Sequence, residues 1–337
     1  YDYKYFYRSV TYVLDHFCYL CPDRTGINLL LVTSNQSLVT NLGGVKMWDS
    51  LVRATAYDGF IRVSAAVTTR MVEEARKRHE SWPVATAALG RVMTGALLLT
   101  WGLKDTGSIT LRVLGDGPLG GIIADADYKG EVRGYVQNPQ QDLPLNEKGK
   151  LDVGTAVGKG ALYVTKDIGL KEPYTGSVPL ISGEIGEDIA SYLFSSEQTP
   201  SLVALGVLVN PDLKVAASGG LIIQALPNAP EEILAKIEEN IKDVKPISTL
   251  VKEGNGPKEI IKKFLPNTDI KILAEYPVCF KCKCNVERVK SVLLSLGKEE
   301  LSDILKKEGK SQVRCHFCNE VYNFSKEDLE ELITQLD

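Results

Sequence analysis

Residues 109–136 read ITLRVLGDGPLGGIIADADYKGEVRGYV, and this stretch decides the fold class. Three short runs, Ile109–Leu114, Gly121–Asp125 and Glu131–Val136, are rich in β-branched and apolar residues and are bounded by glycine and proline, the signature of strands. Tyr128-Lys129-Gly130 supplies a tight turn between the second run and the third. Gly115-Asp116-Gly117-Pro118-Leu119-Gly120 satisfies the letter of a glycine-rich dinucleotide fingerprint. That motif, however, needs a helix next, whose N-terminus holds the pyrophosphate. Here the following residues, Gly121–Ala124, are strand-like, and Asp116 would repel phosphate, so the six residues read as a turn. Strands joined by turns this short pair antiparallel.

The same texture extends outward. Leu162–Lys166, Ser177–Ser182, Val203–Val209 and Leu221–Leu226 are further strand candidates, and Asn210-Pro211-Asp212 is a further turn. Helical patterns occupy Thr69–Glu80, Pro83–Gly102 and Glu187–Ser196. Clustered hairpins with interspersed helices predict an α+β fold with mostly antiparallel sheets, not a doubly wound parallel sheet. Residues 231–275 change character. Their charge density is high, Ile233, Ile237 and Ile241 recur on one helical face, and Pro246, Gly254, Gly256 and Pro257 cut the segment into short helices. Such helices are marginal alone and depend on docking. Residues 1–46 are aromatic and irregular in a way the rest is not, so they read as an extension of unknown role ahead of Met47. The Cys18/Cys21 pair inside it reads as incidental.

A chain of 337 residues, 44% hydrophobic and 24% charged, belongs to the ordinary globular class and can bury a sizeable core. The net charge of −4 gives no support to nucleic-acid binding. The most apolar stretch, Ala85–Leu103, carries Arg91 and reads as a buried helix, where a membrane span wants about 20 uncharged apolar residues. No secretory signal pattern is evident at the start. Nucleophilic catalysis is poorly supported. Of the 3 histidines only His79 falls in the main domain, at what reads as a solvated helix end within Arg76-Lys77-Arg78-His79.

The 7 cysteines lie in two clusters, at 18–21 and at 279–318, which argues for metal or redox chemistry in a reducing compartment, the cytoplasm, and against a secreted disulfide framework. The strongest chemical signal is Cys282-Lys283-Cys284 followed by Cys315-His316-Phe317-Cys318. Two close pairs of sulfurs can converge into the closed tetrahedral shell that structural zinc prefers. Spacing alone leaves the ligand set open. Cys279 with Cys282, Cys315 and Cys318 would make an ordinary zinc ribbon, and His316 could replace a thiolate. The surrounding sixty or so residues offer only thin apolar stripes: Val286, Val289, Leu293 and Leu296 before Gly297, and Leu329, Leu332, Ile333 and Leu336 after a capping pattern at Ser325 and Asp328. Such a module needs its metal to complete its stability. Thiolates are also what oxidants attack, and oxidation consumes the ligands.

Whole-chain motifs narrow the choice. AALGR at 87–91, GDGPLGG at 115–121, GEVRGYVQNP at 130–139, SGEIGEDIASYLFSSEQTPS at 182–201, GGLIIQALP at 219–227 and CHFCNEVYNF at 315–324 resemble the redox-regulated thirty-three-kilodalton heat-shock chaperone family. The resemblance implies an N-terminal α/β core domain over 47–229, a metastable helical linker over 230–274 and a zinc-binding redox-switch domain over 275–337. It implies one zinc on Cys282, Cys284, Cys315 and Cys318 in the reduced state, leaving Cys279 outside the set. It further implies disulfides Cys282–Cys284 and Cys315–Cys318 on oxidation, ATP-independent holding of unfolding client proteins, a homodimer in the oxidised state, and no enzyme activity. The rival readings are a disulfide oxidoreductase using Cys315 and Cys318 and a nucleic-acid-binding zinc ribbon. Against the first, the residues after Cys318 are strand-like where a redox-enzyme pair opens a helix.

Overall fold

The computed structural model describes residues 49–103 and 107–336. The segment 1–46, Met47 and the Cys18/Cys21 pair lie outside the described residues. Strands β1 (Ser50–Ala56) and β2 (Ile61–Val67) form a hairpin whose turn at Tyr57–Gly59 uses left-handed backbone. Both strands are buried on nearly every side chain, so they read as continuous apolar and small-residue runs without alternation. Helices α1 (Thr69–His79) and α2 (Pro83–Leu98) follow, α2 opening on the proline that suits a first helical turn. Nearly every residue of α2 is buried, because it lies between two sheets. Its Ala and Gly content permits that close approach: a Cβ at Gly95 would collide with Ile189.

The quoted stretch folds as read. β3 (Ser108–Gly115), β4 (Gly121–Asp127) and β5 (Glu131–Val136) make an antiparallel meander, and the glycine-rich hexapeptide is the turn between β3 and β4. A short α3 (Val153–Val157) leads into β6 (Gly160–Asp167), β7 (Tyr174–Pro179) and α4 (Gly186–Ser195). The strand expected at Ser177–Ser182 stops at Pro179. Beyond it the buried Asp188 carboxylate accepts the amides of Ile181, Ser182 and Ile185, spending them on the cap of α4 instead of a ladder. β8 (Ser201–Val209) and the long β9 (Val215–Ala225) complete the core.

Helices α5 (Glu231–Ile241), α6 (Ile247–Lys252) and α7 (Pro257–Phe264) break where Pro246 and Gly256-Pro257 stand, and they dock on the sheet face opposite α2. Ile237, Ile241, Ile247, Leu250, Ile260, Ile261 and Phe264 are all buried there against Val52, Ala54, Val63 and Leu221, forming a second apolar core. The chain then enters β10 (Ile270–Pro277), which pairs antiparallel with β1. The boundary expected between 274 and 275 thus falls inside a strand. Its partner lies at the far end of the sequence, so no local signal marks the pairing.

A two-residue strand β11 (Cys279–Phe280) runs parallel to β5. After it come α8 (Val286–Leu294), α9 (Lys298–Glu308), the hairpin β12 (Ser311–Arg314) and β13 (Val321–Phe324), and α10 (Lys326–Thr334). Ser325 and Asp328 form the reciprocal cap of α10. Among the described residues the apolar cluster of this module buries only Val289, Leu293, Leu301, Phe324, Leu329 and Leu332, while Val286, Leu296 and Leu336, expected on the inner stripes, are exposed. The resulting α+β architecture contains a five-stranded sheet in the order β10-β1-β2-β9-β8 and a six-stranded sheet in the order β11-β5-β4-β3-β6-β7.

Candidate metal centre

The centre is assembled from two backbone devices. In the first, β11 hangs on the edge of β5, with the amides of Cys279 and Lys281 donating to the carbonyls of Gly130 and Val132. Side chains alternate along such an extended segment. Cys279 faces solvent, Phe280 lies under the Arg78 guanidinium, and Cys282 faces Arg133, with 3.9 Å between Arg133 Nη1 and Sγ. Two residues further on, Cys284 can share the side of Cys282; three residues back, Cys279 cannot. In the second device, the β12–β13 hairpin turns through Cys315–Asn319. Cys315 N–H donates to Glu320 O, Asn319 N–H returns to Cys315 O, and Asn319 takes the left-handed backbone that asparagine tolerates.

The two devices bring the sulfurs of Cys282, Cys284, Cys315 and Cys318 within 4.8 Å of one another. Cys282 and Cys315 are 3.8 Å apart and Cys284 and Cys318 3.2 Å. Tetrahedral thiolate coordination with bonds of about 2.3 Å requires sulfur separations of about 3.8 Å, so the donor set fits such an ion. Cys279 and His316 are not in the cluster. His316 stacks at 5.9 Å on Tyr135 instead.

The local charge favours thiolate at one corner and opposes it at another. Burial would push the Cys282 thiol up, but the Cys284 amide and the Arg133 guanidinium outweigh it and bring it down to about 7. Burial and the neighbouring thiols drive Cys318 the other way, well above the ordinary range. Four thiolates in so small a volume repel one another, and a cation at their centre resolves that repulsion. Tyr322 donates its hydroxyl to Cys284 Sγ at 3.1 Å, which raises its own pKa and orients that sulfur.

The centre is also fastened to the core, through residues the sequence reading missed. Arg133, held by Asp125 at 2.7 Å, stacks 4.0 Å over the Phe317 ring. Asn319 Nδ2 donates to Arg78 O at the end of α1. His79, expected on a solvated helix end, is buried. Its Nε2 lies 3.1 Å from both Gly134 O and Phe317 O, and burial holds its pKa below the usual value. The reason is that the cysteine hairpin packs over the end of α1, a contact between segments far apart in sequence. Arg133 and Tyr135 do lie within GEVRGYVQNP, a motif that marked the family resemblance without showing a role.

The family model described as "Hsp33 protein" matches residues 49–325. The chain belongs to the Hsp33 family. A protein of Desulforamulus reducens called "33 kDa chaperonin" is 54% identical over 86% of this chain and 99% of its own length. One of Bacillus subtilis with the same name is 50% identical over 85% and 99%. The crystal structure of the Thermotoga maritima 33 kDa chaperonin, an Hsp33 homolog, superposes with a TM-score of 0.80 at 41% identity, covering 86% of this chain and 99% of that one. Hsp33 proteins are chaperones, not enzymes, which removes the oxidoreductase reading, and chaperone membership implies binding of unfolded clients. Structure agrees on the local point: Cys318 is followed by β13, not by a helix. Among the described residues no helix is long and apolar enough to cross a membrane.

Proposed function

We propose that this chain is a redox-regulated, ATP-independent holding chaperone of the cytoplasm, acting under oxidative and heat stress. In the reduced state one zinc ion per chain is held by Cys282, Cys284, Cys315 and Cys318, and supplies the charge that keeps four thiolates together. The observation that carries the reading is structural economy. The module that presents the ligands buries six apolar side chains, too few to stand alone. Zinc binding to unfolded thiolate peptides is worth about 10–16 kcal/mol, which is then the module's folding energy.

Oxidation removes that energy. A thiolate attacks a peroxide oxygen, becoming a sulfenic acid as hydroxide departs, and a second thiolate displaces the sulfenic oxygen to close a disulfide. Each disulfide passes two electrons to one peroxide, so two peroxides convert four thiolates. Pairing within neighbours, Cys282–Cys284 and Cys315–Cys318, frees the two limbs of the centre from each other. The linker over 230–274 then undocks, and the apolar face beneath it binds clients, since burial is non-directional. We further propose a homodimer in the oxidised state. The functional division remains 47–229, 230–274 and 275–337, with β10 spanning the last joint.

The 3.2 Å approach of Cys284 to Cys318 favours a second pairing, across the limbs, which would keep the module clamped. Peptide mass mapping separates the two. The central experiment measures zinc release and suppression of aggregation on one sample before and after peroxide. Holding of equal strength by the reduced, zinc-loaded protein would leave a constitutive chaperone with a structural metal.

A further inference from the structure

Between Ile270 and Lys281 the chain runs as one extended strap along the open edges of both sheets. β10 fills the outer edge of β1 in register from Ser50↔Pro277 to Ala56↔Ile270, with one irregularity between Arg53 and Ala54. The strap crosses over at Val278, whose amide donates to Asp49 O, and β11 then takes the edge of β5. The next residue after Lys281 is the ligand Cys282.

The way β10 is held indicates what its seat accepts. None of its eight side chains is buried; Ile272 is 40% and Leu273 51% exposed. β1, by contrast, is buried almost throughout. The pairing therefore rests mainly on main-chain hydrogen bonds, with Ile270 and Tyr276 packed against the two cores at its ends. An edge that reads backbone and asks little of side chains accepts many sequences, provided they are extended. It is flanked by apolar surface, Val52, Ala54 and Ala56 on the face that α5–α7 cover.

We propose that the outer edge of β1 is a docking site for an extended segment of an unfolding protein, and that β10 is an internal strand that keeps it filled. The chemistry is strand addition: the client's amides and carbonyls replace those of β10, while its apolar side chains lie beside the face the linker leaves. Such an edge left open is a template for uncontrolled pairing, so a strap that is released only with the metal centre also protects the resting protein. The client assignment rests on the holding function proposed above, but the seat can be tested without oxidation.

The full chain carrying Ile272→Pro and Leu273→Pro places two prolines at exposed positions where the register with β1 is already irregular, which breaks the strand there. It is kept reduced and zinc-loaded, with stoichiometry and circular dichroism checked against the wild type. The probe is a fluorescent peptide of residues 270–277, IKILAEYP, and a copy with the same side chains whose amides from 271 to 276 are N-methylated. The variant should bind the plain peptide at least about tenfold more tightly than the wild type does, and the methylated copy at least about tenfold more weakly than the plain one. Equal affinity of wild type and variant, or of the two peptides, overturns the proposal. If the variant does not fold, hydrogen exchange of Leu51–Ala56 is followed in the oxidised wild type. The plain peptide should restore protection there, and unchanged exchange overturns the proposal. Dissociation of an oxidised dimer by the peptide would show that a second copy's β10 fills the edge, which overturns the client assignment. Failure of the redox switch would leave the reduced-state result intact, so the two readings fail separately.

Discussion

Phe264 closes α7 and is fully buried against the five-stranded sheet, together with Ile260 and Ile261. Replacing it by alanine leaves a cavity and costs about 3–5 kcal/mol. The three linker helices span 11, 6 and 8 residues, below the length at which isolated helices persist, so they stand only by docking. Local opening energies range from about zero to the global stability of roughly 5–15 kcal/mol, and a weakly held segment sits low in that range. At about 1.4 kcal/mol per decade, Phe264→Ala should raise the opening of 231–264 by about two to four orders of magnitude. Hydrogen exchange by mass spectrometry on the reduced, zinc-loaded protein should show all three helices accelerating together. Suppression of aggregation of an unfolded test protein should appear without peroxide. Acceleration confined to α7 would refute the linker as one cooperative unit. Cooperative opening without holding would refute the sheet face as the client surface.

The remaining predictions concern the centre and its surroundings. Cys279→Ser should keep one zinc per chain by metal assay, whereas Cys284→Ser should lose it and leave 275–337 fully exchanging; the reverse pattern would restore the ribbon ligand set. Tyr322→Phe removes the hydroxyl that holds Cys284 and should weaken zinc affinity about 10–100-fold in a chelator competition. His79→Leu leaves the carbonyls of Gly134 and Phe317 without that donor. It should cost about 1–3 kcal/mol, seen as faster exchange at 315–320 with the core unchanged. Burial raises the Asp49 carboxyl from 3.8 to about 6, so the folded state prefers it protonated. The penalty for ionising it is absent below about pH 3, builds between about pH 4 and pH 6, and stays at roughly 3 kcal/mol above that. Asp49→Asn should therefore gain on the wild type by about 2–3 kcal/mol between pH 4 and 7 in urea titrations, most of it below pH 6; a pH-independent difference would show that burial does not shift this group.

The parts of the fold legible in sequence were those decided locally. The meander 109–136 announces itself through turn residues at fixed offsets, and the linker helices through Pro246 and Gly256-Pro257. β1 and β2 carry no alternation because both of their faces are buried, one under α2 and one under the linker. β10 is a strand only because β1 offers it an edge. At the centre, the four cysteines were visible as two close pairs, but the choice between Cys279 and Cys284 depends on which way an extended backbone turns its side chains. That is set by the hydrogen bonds of β11 to β5. His79 misled for a related reason: a basic run at a helix end normally meets water, and here it meets the cysteine hairpin.

These long-range pairings give the molecule an order of release. The largest core, around α2, takes in Val278 with Tyr276 and Phe280 packed beside it, and beyond the strap the cysteine module meets it at Arg78, His79, Arg133 and Tyr135. The module is coupled to the rest by these polar and ring contacts and by chain continuity, from Cys282 back through the strap to α7. On the proposed reading, loss of the metal would free first the module, then the strap and the two sheet edges, and then the helices whose face they border, while β3–β7 and α2 would keep their packing. A switch built this way needs no second fold for the active state. It needs only a core that remains folded after its own covers are removed, which the double-sided burial of α2 provides.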